Sequence, residues 1–413
     1  MAPRDHVVGI DLGTSSVHVV VGRGTPDGEV EVLGFGTCES KGLRKGTVVN
    51  IEQTVGAIES AMRDAHKMSG RRVHTAFVSI SDGYIQSFDS HGIIGIKNRD
   101  SEITAHDIAN VLEAAEAVKI PADREVLHVS PKHYIVDGQQ GIKDPIGIMG
   151  VRLETYVHIV TAASSSVQNI IKCVNRVGCE VEDVVFEAYA SAESVLTPEE
   201  RELGVLLVDF GGGTTDFAVF ADGVIHHSNV LALAGGHVTN DLAVGLRTPQ
   251  SCAEQIKLKY GAALASMVDD NDVVMVPGIS NNVRHVLRRG VVDIMEARMD
   301  EVFSLISADL ERAGCRKLFP AGVVLTGGGV LTDGTPELVE AIMRCPVRIG
   351  RPRDIVGEVE GLDDPRYACV MGLVRTGLQL RSEGKRGRYR SPALPSRIFS
   401  KSREFIERFF WGG

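Results

Sequence analysis

The sequence predicts an α/β protein made of a duplicated domain around a cleft, with a small α+β insertion in the first copy and a second insertion in the other. Two observations carry this. VVGIDLGTSSVHVVVG (7–22) and VLLVDFGGGTTDFAVF (205–220) share one grammar: an apolar run, an Asp, a Gly/Ser/Thr turn and a second apolar run. Their aspartates, Asp11 and Asp209, stand 198 positions apart in a chain of 413, so the repeat spans about half of it. Two unrelated hairpins that happened to share glycines would not match in strand, Asp, turn and strand together. Both halves also alternate strand-like and helix-like segments, and each is interrupted by a stretch without counterpart in the other.

In chain order, EVEVLGFG (29–36) reads as a strand. Ile51, Val55, Ile58, Met62 and Ala65 step by four, three, four and three, one face of a helix that Gly70 terminates. VHTAFVSI (73–80) is a buried strand. Residues 84–158 break the duplication with a helix around 104–118, marked by Ile108, Val111, Leu112, Ala115 and Val118, and strands at 126–136 and 151–160. SSVQNIIKCVNRVG (165–178) resumes the main body as an amphipathic helix. In the second half, Thr248-Pro249 reads as an N-cap followed by Pro at the first helical position, opening a helix to about Tyr260. Residues 283–313 form a long helical pattern ending at Gly314. VVLTGGG (323–329) is a strand feeding a glycine turn, 346–350 another strand and 366–380 a last helix. RSEGKRGRYRSPALPS (381–396) has no periodicity and reads as a linker. The first domain is then 1–83 with 159–200, and its insertion 84–158. The second is 201–236 with 319–380, and its insertion 237–318.

Composition narrows the class. Hydrophobic residues make up 43% of the chain, charged residues 24% and aromatics 5%, which excludes disordered and fibrous proteins. Seven cysteines without a CxxC pair read as buried small hydrophobes in a reducing compartment, not as a disulfide or zinc framework. No apolar run approaches the roughly 20 residues of a spanning helix, and no secretory leader is evident, so the expectation is a cytoplasmic protein. Residues 381–413 hold nine Lys/Arg against three Asp/Glu, while the whole chain carries −10, so an acidic body bears a basic tail. That balance argues against nucleic-acid binding by the body and for a tail that meets an anionic surface.

The chemistry sits in the turns. A phosphate requires closely approaching backbone N–H groups and hydroxyl donors, which Asp11-Leu12-Gly13-Thr14-Ser15-Ser16 and Asp209-Phe210-Gly211-Gly212-Gly213-Thr214-Thr215-Asp216 each supply. Neither is a Walker loop, because no Lys follows the glycines and a strand, not a helix, comes next. The phosphate charge is then left to a metal: an Asp at the end of each central strand, Asp11 and Asp209, suits Mg²⁺ held largely through water. Singly, each turn reads equally well as an ordinary hairpin; the pair does not. Leu325-Thr326-Gly327-Gly328-Gly329 offers backbone to lie against a purine or ribose, although alone it is a tight turn. Ala234-Gly235-Gly236-His237 opens a helix whose N-terminus suits phosphate.

These turns together resemble the actin, sugar kinase and heat-shock chaperone superfamily. Within it the sequence is similar to the FtsA family of actin-like bacterial cell-division proteins, through GIDLGTSSV, KGLRKGTVVNIE, LGVLLVDFGGGTTDFAVF, GGHVTNDLAVGLRTP, EQIKLKYG and VVLTGGG. The resemblance implies an actin-like (ribonuclease H-like) fold around a nucleotide cleft. It implies ATP with Mg²⁺, one side of the phosphates held by Asp11, Gly13, Thr14 and Ser15, the other by Asp209, Gly211, Gly212, Gly213, Thr214 and Thr215. Gly236, Asn240, Glu254, Lys257, Gly327, Gly328 and Gly329 would line the nucleoside. Glu187 takes the position where relatives orient the attacking water, with slow hydrolysis expected. Arg284 and Arg298 match positions that meet the acidic tail of FtsZ; their spacing of 14 puts them on one face of the expected helix, where a solvated basic face is the plainer reading. The family also implies self-assembly into filaments, recruitment of later division proteins, and a place at the division site on the inner membrane's cytoplasmic face. A sugar or acetate kinase of the same fold is the alternative, and it would need a carboxylate base aimed at a substrate hydroxyl. A pilus-type scaffold would lack the tail.

That tail, RIFSKSREFIERFFWGG (397–413), has Ile398, Phe405 and Phe409 stepping by seven and four, as do Phe399, Ile406 and Phe410, with Trp411 extending the face. It holds four of the chain's 13 phenylalanines, beside Arg397, Lys401, Arg403 and Arg408. A helix of this length reaches only about 22 Å, too short to cross a bilayer. The expectation is an amphipathic helix lying in the interface among anionic lipids. A terminal helix docked on the body is the competing reading.

Overall fold

The computed structural model describes residues 6–97, 102–278, 282–357 and 359–382. The membrane-segment residues Ile398, Phe399, Phe405, Ile406, Phe409, Phe410 and Trp411, and nearly all of the linker, lie outside them. Among the described residues no helix is long and apolar enough to cross a membrane.

The chain opens with β1 (Val7–Leu12), β2 (Ser16–Gly24) and β3 (Val30–Glu39), then a short hairpin of β4 (Leu43–Arg44) and β5 (Thr47–Val48). Helix α1 (Ile51–Ser69) starts at Asn50, whose side chain accepts from the Gln53 N–H, and stops at Gly70 in the left-handed region. Its buried stripe of Thr54, Ala57, Ile58, Ala61 and Ala65 follows the helical period. Strand β6 (Thr75–Ile80) is buried throughout, as a central parallel strand should be. The insertion follows: β7 (Gln86–Gly95), α2 (Ala105–Glu116), β8 (Arg124–Val136), β9 (Gln139–Ile142) and β10 (Arg152–Ala163). Two of its strands, β7 and β9, were not expected from sequence. Then come α3 (Ser164–Arg176), β11 (Glu180–Phe186), α4 (Glu187–Val195) and α5 (Pro198–Leu203).

The second half runs through β12 (Val205–Phe210), β13 (Thr215–Ala221), β14 (Val224–Leu231), α6 (Gly235–Gly245) and α7 (Gln250–Tyr260). It continues with β15 (Val273–Pro277), β16 (Val283–Leu287), α8 (Arg288–Arg312), β17 (Val323–Thr326), α9 (Thr335–Met343), β18 (Val347–Ile349), β19 (Ile355–Val356) and α10 (Ala368–Ser382).

The duplication is visible in the sheets. One is ordered β11-β6-β1-β2-β3 with β19 at its edge; the other is β14-β13-β12-β17-β18, the same order read in reverse. Strands β1 and β12 thus occupy equivalent central places, each paired antiparallel with the next strand and parallel with a later one. The insertion forms its own four-stranded sheet, β7-β10-β8-β9, with α2 and a separate apolar core around Ile108, Leu112, Tyr134 and Leu153. It also reaches the second lobe. His158 Nε2 lies 2.9 Å from Ser228 Oγ on β14, and Lys132 Nζ donates to the His226 carbonyl at 2.8 Å.

Three sequence expectations change here. Residues 355–380 were assigned to the second domain, but β19 pairs with β3 and the apolar face of α10 joins the first lobe's core. Residues 283–287 were read as helix, yet they form β16, paired with β15 through Val273↔Leu287 and Val276↔Arg284. The alternating exposure of both strands is the period-two signature that the following 25-residue helix masked. Thr248 does not cap α7. Its hydroxyl donates to the Pro277 carbonyl, and Pro249 holds the cap position.

Helices α4 and α10 cross closely over β1. A Cβ at Gly372 would overlap the Ala190 carbonyl, so glycine alone permits this approach. Gly372→Ala is therefore expected to lower unfolding stability by about 1–3 kcal/mol through overpacking. Gly56, mid-helix on α1 with open space where a Cβ would go, is the opposite case. Gly56→Ala should raise stability by about 0.5–1 kcal/mol. Denaturant unfolding of both variants checks the pair, and equal midpoints would refute the packing argument.

Candidate functional site

A cavity of about 400 Å³ lies where the ends of β1, β12 and β17 converge. It is walled by Asp11, Gly13, Thr14 and Ser15 from the first turn, Asp209 and Gly211 to Thr214 from the second, and Gly327, Gly328 and Gly329 from the third. Glu187, Glu254 and Lys257 also face it. Three residues expected on the wall are not part of it. Thr215 is buried and its hydroxyl donates to the Leu233 carbonyl at 2.6 Å, bracing the strand. Gly236 N–H donates to the Gly212 carbonyl at 2.8 Å, pinning the first turn of α6 against the second glycine turn. Asn240 lies exposed one turn further along α6.

The two phosphate-type turns touch. A Cβ at Gly212 would collide with Ser15 Oγ, and one at Gly213 with Thr14 Oγ1, so those glycines are demanded by the opposite lobe and not by their own turn. Ser81, just after β6, donates to Thr214 Oγ1 at 2.9 Å and to Asp216 Oδ2 at 2.7 Å, a second link across the lobes. Gly46 N–H donates to Thr14 Oγ1 at 3.0 Å from the β4–β5 hairpin.

Beneath the turns four carboxylates gather: Asp11, Asp209, Asp216 and Glu187. Asp11 accepts from Ser79 Oγ at 2.8 Å and Asp209 Oδ2 from Ser191 Oγ at 2.5 Å. Asp209 and Asp216 are cross-strand partners, the place that His18 takes opposite Asp11 in the first copy. None of the four forms an ion pair with lysine or arginine among the described residues. Burial, then the neighbouring carboxylates, pushes Glu187 well above the carboxylate range, with Asp216, Asp209 and Asp11 all contributing. Asp216 is pushed well up for the same first reason, Asp11 is raised by its burial, and Asp209 is pushed up to about 7. Such a set at neutral pH either holds protons or holds a cation.

Hard oxygen donors of this kind fit Mg²⁺ bound partly through water. Asp11, Glu187 and Cys369 bring potential ligand atoms within 4.8 Å of one another. The Cys369 thiol, driven up by burial and the adjacent carboxylates, stays protonated and is a poor magnesium donor. Asp11 and Glu187 thus remain the oxygen donors of that group, with Asp209 in the same carboxylate set. Asp216, absent from the sequence-derived site, was legible from strand register alone, since it stands opposite Asp209 in the hairpin.

At the far end of the cavity Lys257 Nζ bonds Glu254 Oε2 at 2.8 Å, Thr239 Oγ1 at 2.9 Å and the Gly235 carbonyl at 3.3 Å, tying α7 to α6. Lys259, Arg288 and Arg366 also reach this wall. Lys259 belongs to EQIKLKYG, whereas no motif announced Arg288 and Arg366, which come from separate elements.

The two arginines expected on one helical face are placed differently. Arg284 lies on β16 and donates to the Leu246 and Arg247 carbonyls, whereas Arg298 lies on α8 and pairs with Asp241 and Glu301. What joins them is α6: one grips its end, the other its middle.

Comparison with known proteins agrees with this fold. Residues 206–372 match the family model described as cell division protein FtsA, and residues 82–161 match the SHS2 domain inserted in FtsA, which coincides with the inserted sheet. The chain is 48% identical over 379 residues to the cell division protein FtsA of Pseudomonas aeruginosa, covering 92% of this chain and 90% of that one. Among solved structures, that of the PilM–PilN type IV pilus biogenesis complex aligns with a TM-score of 0.67 at 16% identity, over 91% of this chain and 99% of the other. MreB5 of Spiroplasma citri bound to ADP aligns with a TM-score of 0.55 at 14% identity, over 92% and 97%. These likenesses establish an actin-like fold.

The raised carboxylates make a pH prediction. A carboxyl whose folded pKa is about 7, against an ordinary 3.8, binds more protons folded than unfolded between those values. Its stabilising contribution, full below about pH 4, is therefore lost as the pH rises through about 7. Asn at that position stays neutral and can still accept from Ser191. Asp209→Asn should gain in melting temperature relative to the unsubstituted protein as the pH is raised across this window, without nucleotide or metal. A constant difference would contradict the assignment.

Proposed function

The chain belongs to the FtsA family of cell division proteins, and on that footing we propose that it is an actin-like, ATP-binding protein that polymerises and ties FtsZ filaments to the cytoplasmic membrane, where it helps recruit later division proteins. The observation that carries the nucleotide part is the carboxylate quartet beneath two facing glycine turns. Backbone N–H groups and the hydroxyls of Thr14, Ser15 and Thr214 suit a triphosphate. Asp11 and Asp209, with Glu187 beside them, would hold Mg²⁺, which would supply positive charge between the carboxylates and the phosphates. The adenosine end follows Gly327 to Gly329 with Glu254 and Lys257, while Gly236 and Asn240 stand just behind the wall. Glu187, which faces the cavity, would orient a water toward the phosphates. Its strongly raised pKa keeps the carboxylate form that would act as a base scarce near neutral pH, which accords with slow turnover and with ATP acting mainly as a conformational ligand.

Asp209→Ala should lower Mg·ATP affinity by about 1.5–3 kcal/mol, the range for hydrogen bonds to charged groups, with the fold retained. Calorimetric titration checks this, and affinity equal to the unsubstituted protein would remove Asp209 from the metal site.

For the partner, α6 with the arginines that grip it offers basic groups to an acidic FtsZ tail. Reversing Arg284 and Arg298 to Glu should abolish binding of an FtsZ tail peptide by like-charge repulsion while ATP binding survives, since neither lines the cavity. Fluorescence anisotropy with a labelled peptide reads both; unchanged peptide affinity would place the docking surface elsewhere.

For the membrane, the sequence pattern of 397–413 supports an interfacial helix on anionic lipid. Removing those residues, or replacing Phe409 and Phe410 with Glu, should abolish sedimentation with anionic vesicles and leave ATP binding intact. Full co-sedimentation of the truncated protein would defeat the anchoring role.

A further inference from the structure

The described chain ends at Ser382, on the last turn of α10, beside a second cavity that the nucleotide reading does not use. Arg381 fixes this pole of the first lobe: its Nη1 donates to the His6 carbonyl at 2.5 Å and its Nη2 to Glu182 Oε1 at 2.9 Å. The Thr75 hydroxyl donates to the same Glu182 oxygen, so this acid is already compensated. The cavity, about 300 Å³, is lined by His6, Arg71, Arg72, His74 and Thr75, with no carboxylate among its described lining residues.

The backbone here is well tied. Gly70 closes α1 in the left-handed region, and the His74 carbonyl accepts from Glu180 N–H at 2.8 Å, which locks the intervening loop to the start of β11. Arg72 and His74 are exposed, and their side chains form no ion pair or hydrogen bond among the described residues. Arg71 and His6 have contacts of their own and contribute charge and polarity at the rim.

We propose that this basic cavity binds a phosphate group, and that its occupant is the headgroup phosphate of an anionic phospholipid, so that the body and not only the tail meets the membrane. Adjacent guanidinium groups match phosphate oxygens in charge and geometry. The lipid source is favoured by where the chain leaves. Residues 383–396 separate this pole from the segment at 397 by at most about 50 Å even fully extended. The sequence of that connection holds Lys385, Arg386, Arg388 and Arg390 against Glu383, so the chain that leaves this pole is itself basic. The orientation rests on the proposed membrane role of 397–413; the cavity's anion preference does not.

The test uses the full chain on mixed phosphatidylcholine–phosphatidylglycerol vesicles. Arg71→Glu with Arg72→Glu should weaken partitioning about tenfold or more, given the contribution of each basic residue near an anionic surface. Unaltered ATP binding and melting temperature would show the variant folded, and Arg72→Gln with His74→Gln provides a milder pair expected to show a smaller loss of the same sign. Unchanged partitioning in both variants overturns the proposal. Inorganic phosphate forms the second arm. If it raises the melting temperature of the unsubstituted protein but not of the Glu variant, while both bind vesicles equally, the site takes free phosphate and the lipid assignment is overturned. The tail is scored separately. Phe409→Glu with Phe410→Glu abolishing binding while the arginine variants match the unsubstituted protein sinks this inference and leaves the anchor. Loss in the arginine variants with full binding by the Phe variant does the reverse.

Discussion

Four acidic side chains placed where they cannot all be charged govern this molecule's chemistry. Asp11 and Asp209 end equivalent central strands of a duplicated sheet, Asp216 stands across the hairpin from Asp209, and Glu187 opens the helix between the lobes. Each is raised above its ordinary value, with burial the leading cause. A protein that keeps such a cluster buried gives up stability as the pH rises toward neutral, and a cation held there would restore it. That trade is typical of a ligand site and of little use in a core.

The same cluster explains why the lobes must communicate. The two glycine turns pack against each other through Thr14, Ser15, Gly212 and Gly213, and Ser81 joins Thr214 and Asp216 across the divide. Ser191, on the helix between the lobes, holds Asp209. A ligand entering between these turns changes contacts that both lobes share, which gives it differential interaction energy between more open and more closed arrangements. The inserted sheet is drawn into that coupling because His158 and Lys132 fasten it to β14 of the second lobe. Family membership supplies the setting, cell division, in which such a change is read by partners.

Much of this was legible in the sequence, and the failures are instructive. The repeat revealed both central aspartates because a strand, an acid and a glycine turn recur together, and periodicity located α1, α2 and α3 to within a few residues. What was lost depends on pairing between distant segments. Asp216 is visible only once the β12–β13 register is known, and Arg366 and Arg288 enter the cavity from elements that no local pattern links. The 283–287 strand was absorbed into the helix that follows it, since five alternating residues carry less signal than 25 helical ones. The return of α10 to the first lobe is a matter of topology: Gly9 and Gly372 make room for that helix, and the GIDLGTSSV motif that holds Gly9 carries no sign of a helix from the far end of the chain.

The most direct measurement of the account is the proton balance of Mg·ATP binding, obtained by titration calorimetry near neutral pH in buffers of different ionisation enthalpy. If the buried carboxylates hold protons until a cation replaces them, binding releases protons to the buffer, and the release shrinks in Asp209→Asn. Binding of Mg·ATP with no proton exchanged, in the unsubstituted protein and the variant alike, would contradict the claim that this acidic cluster is the cation site.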